Sequence, residues 1–123
     1  MRRKIPFARM AIAAALMAAA ASAWAQVKIA YVDPLSGGGA TIGEHGLKHL
    51  QYLVEVINAR GGVLGGQKLE AVAYDNKGSP QESLVQVQKA IDAGVRFITQ
   101  GNGSGAAIAI SEFVAKYNER NPG

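Results

Sequence analysis

The sequence contains no cysteine, and this absence excludes several classes of protein. Without cysteine there is no disulfide, so the stability of the fold has to come from burial of side chains. A thiol nucleophile, a thiolate-bound metal and lipid attachment at an N-terminal cysteine are excluded as well. No nucleophile–base pair is evident either, so the chain has few of the parts that an enzyme needs.

The sequence has only two histidines, His45 and His49, which lie four residues apart on a predicted helix. This spacing suits two ligands of one metal ion, but no third ligand is evident nearby and Gly46 lies between them. We therefore interpret the pair as part of an exposed helix face. Neither a metal nor another cofactor is expected.

Phosphate-binding motifs are weak or absent. No G-x-x-x-x-G-K-[ST] sequence occurs, and Gly101, Gly103 and Ala106 match the G-x-G-x-x-[GA] pattern only after the third predicted strand. In dinucleotide-binding folds that pattern follows the first strand, and an acidic residue ends the next strand about 20 residues later. Glu119 has a similar spacing but lies at the end of a helix, so dinucleotide binding is disfavoured.

An excess of charge is confined to the first residues of the chain. There are 13 basic and 9 acidic residues, and four of the basic residues precede Gln26, so residues 26–123 are neutral overall. Because no cluster of lysine and arginine follows, a nucleic-acid-binding surface is not expected.

The N-terminus has the pattern of a secretory signal peptide. A basic start is followed by an apolar, uncharged stretch from Met10 to Ala25, with a second small residue at Ala23. This stretch is shorter than the roughly 20 apolar residues that span a membrane, so a cleaved signal is favoured over an anchor. We predict a signal peptide at residues 1–25, cleavage before Gln26 and export to the periplasm.

The rest of the chain predicts alternating strands and helices. Apolar, β-branched runs predict strands at residues 27–33, 68–75 and 95–99, and apolar residues at helical spacing predict helices at 41–60 and 106–117. A further helix begins at Pro80, with Ser79 as its N-cap and Glu82 completing a capping box. The order βαβαβα predicts an α/β fold with a parallel sheet.

Two glycine- and serine-containing loops follow predicted strands and lead into helices. They are DPLSGGGATIG after the first strand and QGNGSGA after the third. Ligands of such sheets lie beyond the carboxyl ends of the strands, and helix N-termini favour anions. Ser36 and Ser104 could add hydroxyl donors, so both loops suit a small anion, although a tight strand-to-helix turn explains the glycines equally well.

Three segments carry a resemblance to a known family: PLSG, INARGGVLGGQKLE and YDNKGSPQES, in this order. Together they resemble the N-terminal lobe of leucine/isoleucine/valine-type periplasmic binding proteins, the substrate-binding components of ABC importers. The resemblance implies that residues 26–123 form the N-terminal lobe of a type I periplasmic binding protein. It also implies a monomer without enzymatic activity, which binds a free branched-chain or related amino acid and delivers it to a membrane permease and its ATPase.

The same resemblance implies a set of ligand-binding residues. The loop after the third strand would bind the α-carboxylate through Gly103 and Ser104, with Asn102 and Gly105 beside them. Ile42 stands where many members place an aromatic side chain over the ligand. From its loop alone, Ser36 is a further candidate, and the alternative is that the first loop is a flexible lip. Asp33 has no evident catalytic partner and is interpreted as a loop-shaping or capping residue.

Family members are about three times as long, so we expect an N-terminal fragment whose second lobe is absent. Two alternatives remain at this point. One is a ligand-sensing, receptor-type domain of the same fold, and the other is an exported α/β dinucleotide-binding enzyme.

Overall fold

The computed structural model describes residues 26–122, which form three strands and three helices in alternation. The predicted signal peptide therefore lies outside the described residues. The elements in chain order are β1 (Gln26–Asp33), α1 (Ala40–Ala59), β2 (Lys68–Asp75), α2 (Pro80–Asp92), β3 (Phe97–Thr99) and α3 (Ser104–Arg120), with a short 3-10 turn at Gly37–Gly39 before α1. Within the described range, no helix is long and apolar enough to cross a membrane.

The three strands form one parallel sheet with β1 in the centre, in the order β2-β1-β3. The predicted α/β fold with a parallel sheet is therefore confirmed. The register pairs Asp33 with Asp75 and Tyr31 with Thr99, so the carboxyl ends of all three strands meet at one edge of the sheet. This edge carries the loops that the sequence singled out.

The hydrophobic core lies between β1 and the two later helices. The crossovers from β1 to β2 and from β2 to β3 run in opposite directions, so right-handed connections place α1 on one face of the sheet and α2 with α3 on the other. The buried residues of this core are Ala30, Val32, Val87, Ala90, Val95 and Ile110. Burial of these side chains is the main source of stability in a fold without disulfides.

The predicted start of α2 is confirmed, and its buried face differs slightly from the prediction. Pro80 is the first helical residue, and the Ser79 hydroxyl accepts a hydrogen bond from the backbone N–H of Glu82 at 3.3 Å. The other half of the predicted capping box is not formed, because the Ser79 N–H donates to the carbonyl of Asn76 and the Glu82 carboxylate accepts from Gln86. The fully buried positions include Ser83 and Ala90 beside Val87, because small side chains let the helix approach the sheet and α3 closely. Leu84 and Ile91, predicted as buried, are only partly buried.

Several element boundaries differ from the predicted ones, and two of these differences have clear local causes. The third strand was predicted from Val95, but its N–H donates to the carbonyl of Ala90 at 2.9 Å, so this residue completes the end of α2 and β3 begins at Phe97. The third helix begins at Ser104, two residues earlier than predicted, because the preceding Gly103 makes the turn.

Candidate ligand site at the carboxyl edge of the sheet

Two aspartates end the neighbouring strands β1 and β2, and each fixes a loop that belongs to another strand. Asp33 and Asp75 are register partners at the carboxyl edge of the sheet. Asp75 binds the loop that follows β1, and Asp33 binds the loop that follows β3. The two carboxylates therefore link the three strand ends into one continuous surface.

Asp75 holds the first loop through two hydrogen bonds and its own following loop through a third. Its carboxylate accepts from the N–H of Leu35 at 2.9 Å, from the hydroxyl of Ser36 at 2.6 Å and from the N–H of Lys77 at 2.9 Å. Partial burial acts to raise the pKa of Asp75. The hydrogen bonds from Ser36, Leu35 and Lys77, together with the charge of Lys77, outweigh burial and hold the pKa below its usual range.

We expect Asp75→Asn to destabilise the first loop at neutral pH but not in acid. Because the pKa is lower in the folded than in the unfolded state, the ionised carboxylate contributes stability above about pH 4, and this contribution is lost as the pH falls further. The substitution should lower the free energy of opening of the first loop by about 1 kcal/mol at pH 7, which is measured as faster amide exchange at Leu35. The difference from the parent should shrink below about pH 4.

Asp92→Asn is the matched control, because Asp92 is exposed and its carboxylate accepts only from the Gln88 side chain within the described residues. A difference between parent and Asp75→Asn that stays constant from pH 7 to pH 2 would contradict the role assigned to the Asp75 charge.

Asp33 shapes the third-strand loop from a fully buried position. Its carboxylate accepts from the N–H of Asn102 at 2.9 Å, from the side-chain Nδ2 of Asn102 at 2.6 Å and, at 3.4 Å, from the N–H of Gly101. The hydroxyl of Tyr31 donates to the same carboxylate at 2.6 Å. Burial, this hydrogen bond and the charge of Asp33 raise the pKa of Tyr31, so the phenol remains a donor. The loop-shaping role predicted for Asp33 is confirmed.

The N-terminus of α3 is open, in contrast to that of α2. Gly103 precedes α3 with φ of 91°, a left-handed value that favours glycine, and no side chain caps the helix. Ser104 and Gly105, the first two helical residues, are exposed. The side chain of Gln100 donates to the carbonyls of Asn102 and Gly103, which further constrains the loop. The first N–H groups of α3 therefore have no side-chain partner at a solvent-exposed helix start.

The predicted site residues lie along this one edge. Gly103, Ser104 and Gly105 are exposed at the start of α3, Asn102 is half-buried against Asp33, and Ser36 is exposed on the first loop. Ile42 is 62% exposed in the first turn of α1. The Ser36 hydroxyl hydrogen is occupied by Asp75, so toward a ligand this hydroxyl can act only as an acceptor.

Sequence reasoning missed Asp75 and Tyr31, the groups that hold the loops in place. The available signal was that strands β1 and β2 both end in aspartate immediately before a loop, in YVDP and AYDN. His45 and His49 are both exposed, and no cluster of three possible metal ligands occurs among residues 26–122.

The chemistry of this edge suits recognition of a small anion. An uncapped helix N-terminus offers several N–H donors with a partial positive charge, and the Ser104 hydroxyl adds a donor beside them. A carboxylate can accept two or more such hydrogen bonds at once.

A family model described as periplasmic binding protein matches residues 26–119. The chain belongs to this family. Membership implies a periplasmic location, and the family consists of binding proteins rather than enzymes. The alternative of an exported dinucleotide-binding enzyme is therefore wrong.

Several relatives of this periplasmic binding protein have names that refer to branched-chain amino acids. The Leu/Ile/Val-binding protein homolog 4 of Brucella abortus is 41% identical over 117 residues, which cover 94% of this chain and 28% of the relative. A crystal structure of a leucine-, isoleucine-, valine-, threonine- and alanine-binding protein from Brucella ovis, in a closed conformation, matches with a TM-score of 0.75 and 39% identity. The match covers 80% of this chain and 25% of that one.

A second solved structure is the branched-chain amino acid transporter substrate-binding protein of Streptococcus pneumoniae in complex with isoleucine. It matches with a TM-score of 0.68 and 29% identity, over 75% of this chain and 26% of that chain. This periplasmic binding protein thus spans about a quarter of the length of the relatives it matches.

Proposed function

We propose that residues 26–123 are the N-terminal lobe of the substrate-binding component of an ABC importer, and that the ligand is a branched-chain or related amino acid. Residues 1–25 act as a signal peptide that is cleaved after Ala25. The monomeric protein captures a free amino acid in the periplasm and delivers it to a membrane permease and its ATPase.

The observation that carries this proposal is the exposed, uncapped N-terminus of α3 at the carboxyl edge of the sheet. Gly103 and Ser104 bind the α-carboxylate through backbone N–H groups and the Ser104 hydroxyl, and Asn102 and Gly105 lie on either side. The N-cap position of α2 is Ser79, whose hydroxyl caps the helix, whereas the N-cap position of α3 is Gly103, which has no side chain to do so. A functional explanation for the open end of α3 is therefore favoured over a structural one.

The first loop supplies the other wall of the site. Ser36, with its hydroxyl hydrogen fixed by Asp75, presents oxygen lone pairs that can accept from a ligand ammonium group. Ile42 projects from the start of α1 with more than half of its surface exposed, and it offers apolar area to an aliphatic ligand side chain.

Capture requires a second lobe that closes over the ligand. Contacts made to both lobes shift the population from open to closed, and the closed form is the one that the permease receives. Because the lobe described here supplies only one half of those contacts, residues 26–123 alone should bind amino acids weakly.

The experiment is isothermal titration of the full-length protein, meaning the complete product of the reading frame that contains this sequence. Leucine, isoleucine and valine should bind with about micromolar dissociation constants. Leucinamide, which lacks the carboxylate charge, and 3-methylbutylamine, which lacks the carboxyl group, should bind at least about 100-fold more weakly, because the helix N-terminus would face a neutral group or none. Residues 26–123 alone serve as the single-lobe control.

Equal affinities for leucine and leucinamide would contradict carboxylate recognition. Tight binding of leucine by residues 26–123 alone would contradict the need for a second lobe.

A further inference from the structure

Asp33 is the most completely enclosed charged group at the carboxyl edge of the sheet. Its exposed fraction is 0%, and its carboxylate receives hydrogen bonds from Tyr31, Gly101 and Asn102. The donors in the third-strand loop are the two residues that directly precede Gly103 and Ser104. The buried carboxylate thus binds the segment that leads into the start of α3.

The charge of Asp33 cannot serve to attract the proposed ligand. A negative group near a site for a carboxylate opposes binding by electrostatic repulsion, and a side chain with no exposed surface cannot touch the ligand. Any contribution of Asp33 to binding therefore has to come from the geometry that it imposes on the loop.

The surrounding residues leave little space for another arrangement of this network. A Cβ on Gly101 would lie 3.1 Å from the Asp33 carboxylate, and a Cβ on Gly46 of α1 would overlap the Tyr31 hydroxyl. Both positions are glycine, so the loop and α1 can pack directly against the Tyr31–Asp33 pair. The Tyr31–Asp33 pair is therefore in close contact with the third-strand loop on one side and with α1 on the other.

The loop itself contains glycine at positions 101 and 103 and would otherwise sample many backbone conformations. Ordering such a loop at the moment of binding would cost conformational entropy and weaken affinity. Three hydrogen bonds to one buried carboxylate remove this freedom before the ligand arrives.

We propose that Asp33 is a positioning residue, which holds Gly101 and Asn102 so that the open N–H groups of α3 are already directed toward the ligand carboxylate. This inference rests on the proposed function. The Asp33 carboxylate acts only through the loop, and the ligand touches Gly103 and Ser104.

The test is Asp33→Asn in the full-length protein, with affinities for leucine, isoleucine and valine measured by isothermal titration well below the melting temperature. In the parent, one Asp33 oxygen accepts from the backbone N–H groups of Gly101 and Asn102, and the other accepts from the Asn102 side chain and the Tyr31 hydroxyl. Asparagine keeps the size of the side chain but has a single acceptor oxygen, so it cannot serve both pairs of donors. Affinity should fall by about 10- to 100-fold. The fall should be the same for all three ligands, because they share the carboxylate and differ only in their side chains.

A second readout separates positioning from general stability. The Asn102 amide proton, which donates to a carboxylate in the parent, should shift upfield in the NMR spectrum of Asp33→Asn, and the Gly103 and Ser104 amides should broaden or exchange faster before ligand is added. Asp92→Asn is the matched control. It changes an exposed carboxylate that also accepts from a side-chain amide, and it should alter neither the affinities nor these signals.

Asn102→Ala provides a test that does not disturb the buried side chain. It removes the 2.6 Å hydrogen bond from Asn102 Nδ2 to Asp33 and leaves the bond from the Asn102 backbone N–H. The affinities for all three ligands should therefore fall equally, and by less than in Asp33→Asn. If Asp33→Asn does not fold, the affinities of Asn102→Ala alone test whether Asp33 positions the loop.

Parent affinity in Asn102→Ala and in folded Asp33→Asn, together with lower melting temperatures, would make Asp33 a purely structural residue and overturn the inference. A parent protein that binds none of the three amino acids would instead overturn the proposed function, and this inference would fall with it.

Discussion

Replacing Ser104 with aspartate is expected to abolish leucine binding while leaving α3 as stable as before or slightly more stable. Ser104 is exposed in the first turn of α3, where no side chain satisfies the open N–H groups. An aspartate there would interact favourably with the helix dipole by about 0.3–1 kcal/mol. The same carboxylate would occupy or repel the site of the ligand carboxylate, so affinity should fall by about 100-fold or more.

The opposite signs of the two effects make this substitution informative. Most substitutions that weaken binding also weaken the fold, so loss of binding without loss of stability indicates a site that is specific for an anion. The matched control is Ser111→Asp, an exposed serine in the middle of the same helix with its hydroxyl bonded to the carbonyl of Ile108. Titration calorimetry and thermal unfolding of both variants provide the measurement, and retained leucine binding in Ser104→Asp would contradict the site.

Replacing Gly43 with alanine is expected to lower the free energy of unfolding by about 3 kcal/mol. A loss of stability is unusual for this substitution, because replacing glycine with alanine inside a helix normally raises the free energy of unfolding by about 1 kcal/mol. Gly43 is buried in α1, and a Cβ at this position would overlap the backbone carbonyl of Pro34. The carbonyl belongs to the main chain and the position of a Cβ is fixed by its own backbone, so no side-chain rotation can relieve the overlap and α1 has to move away from the first loop.

Gly38→Ala is the control for this prediction. Gly38 lies in the first loop, just before α1, and a Cβ there would meet no atom within 4 Å. The substitution should therefore leave the free energy of unfolding almost unchanged. Urea unfolding of the two variants gives the comparison. Equal unfolding midpoints for Gly43→Ala and the parent would show that α1 and the first loop do not pack as described. Leucine affinity should also fall in Gly43→Ala, because Ser36 and Ile42 move with these two segments.

The fold was predictable because its signals are local. The capping group Ser79–Pro80–Glu82 fixes the start of α2 within four residues, and alternating apolar runs mark the strands without any knowledge of their partners. The end of β2 at Asp75 agrees with its predicted limit. The start of β3 shifted because Val95 bonds back to α2 rather than across the sheet.

The site was only partly predictable, because its supporting contacts join residues that are distant in the chain. The Ser104 loop could be identified from its glycines and its place after a strand. The bond between Asp33 and Asn102 connects residues 69 positions apart, and that between Ser36 and Asp75 connects residues 39 apart. Both depend on strand order and register, which the sequence pattern does not determine.

Ser36 illustrates the consequence. The sequence suggested a hydroxyl donor for the ligand, and the pairing of β1 with β2 places an aspartate where it takes that hydrogen. The role proposed for Ser36 is accordingly that of an acceptor, whereas Ser104 keeps the role of donor.

A crystal structure of the full-length protein with leucine bound tests most directly whether the start of α3 holds the ligand carboxylate. The expected result is a carboxylate oxygen within about 3 Å of the N–H groups at Ser104 and Gly105 and of the Ser104 hydroxyl, with Asp33 still bonded to Asn102 and out of contact with leucine. A leucine carboxylate bound elsewhere in the protein, with the first turn of α3 facing solvent, would contradict the account.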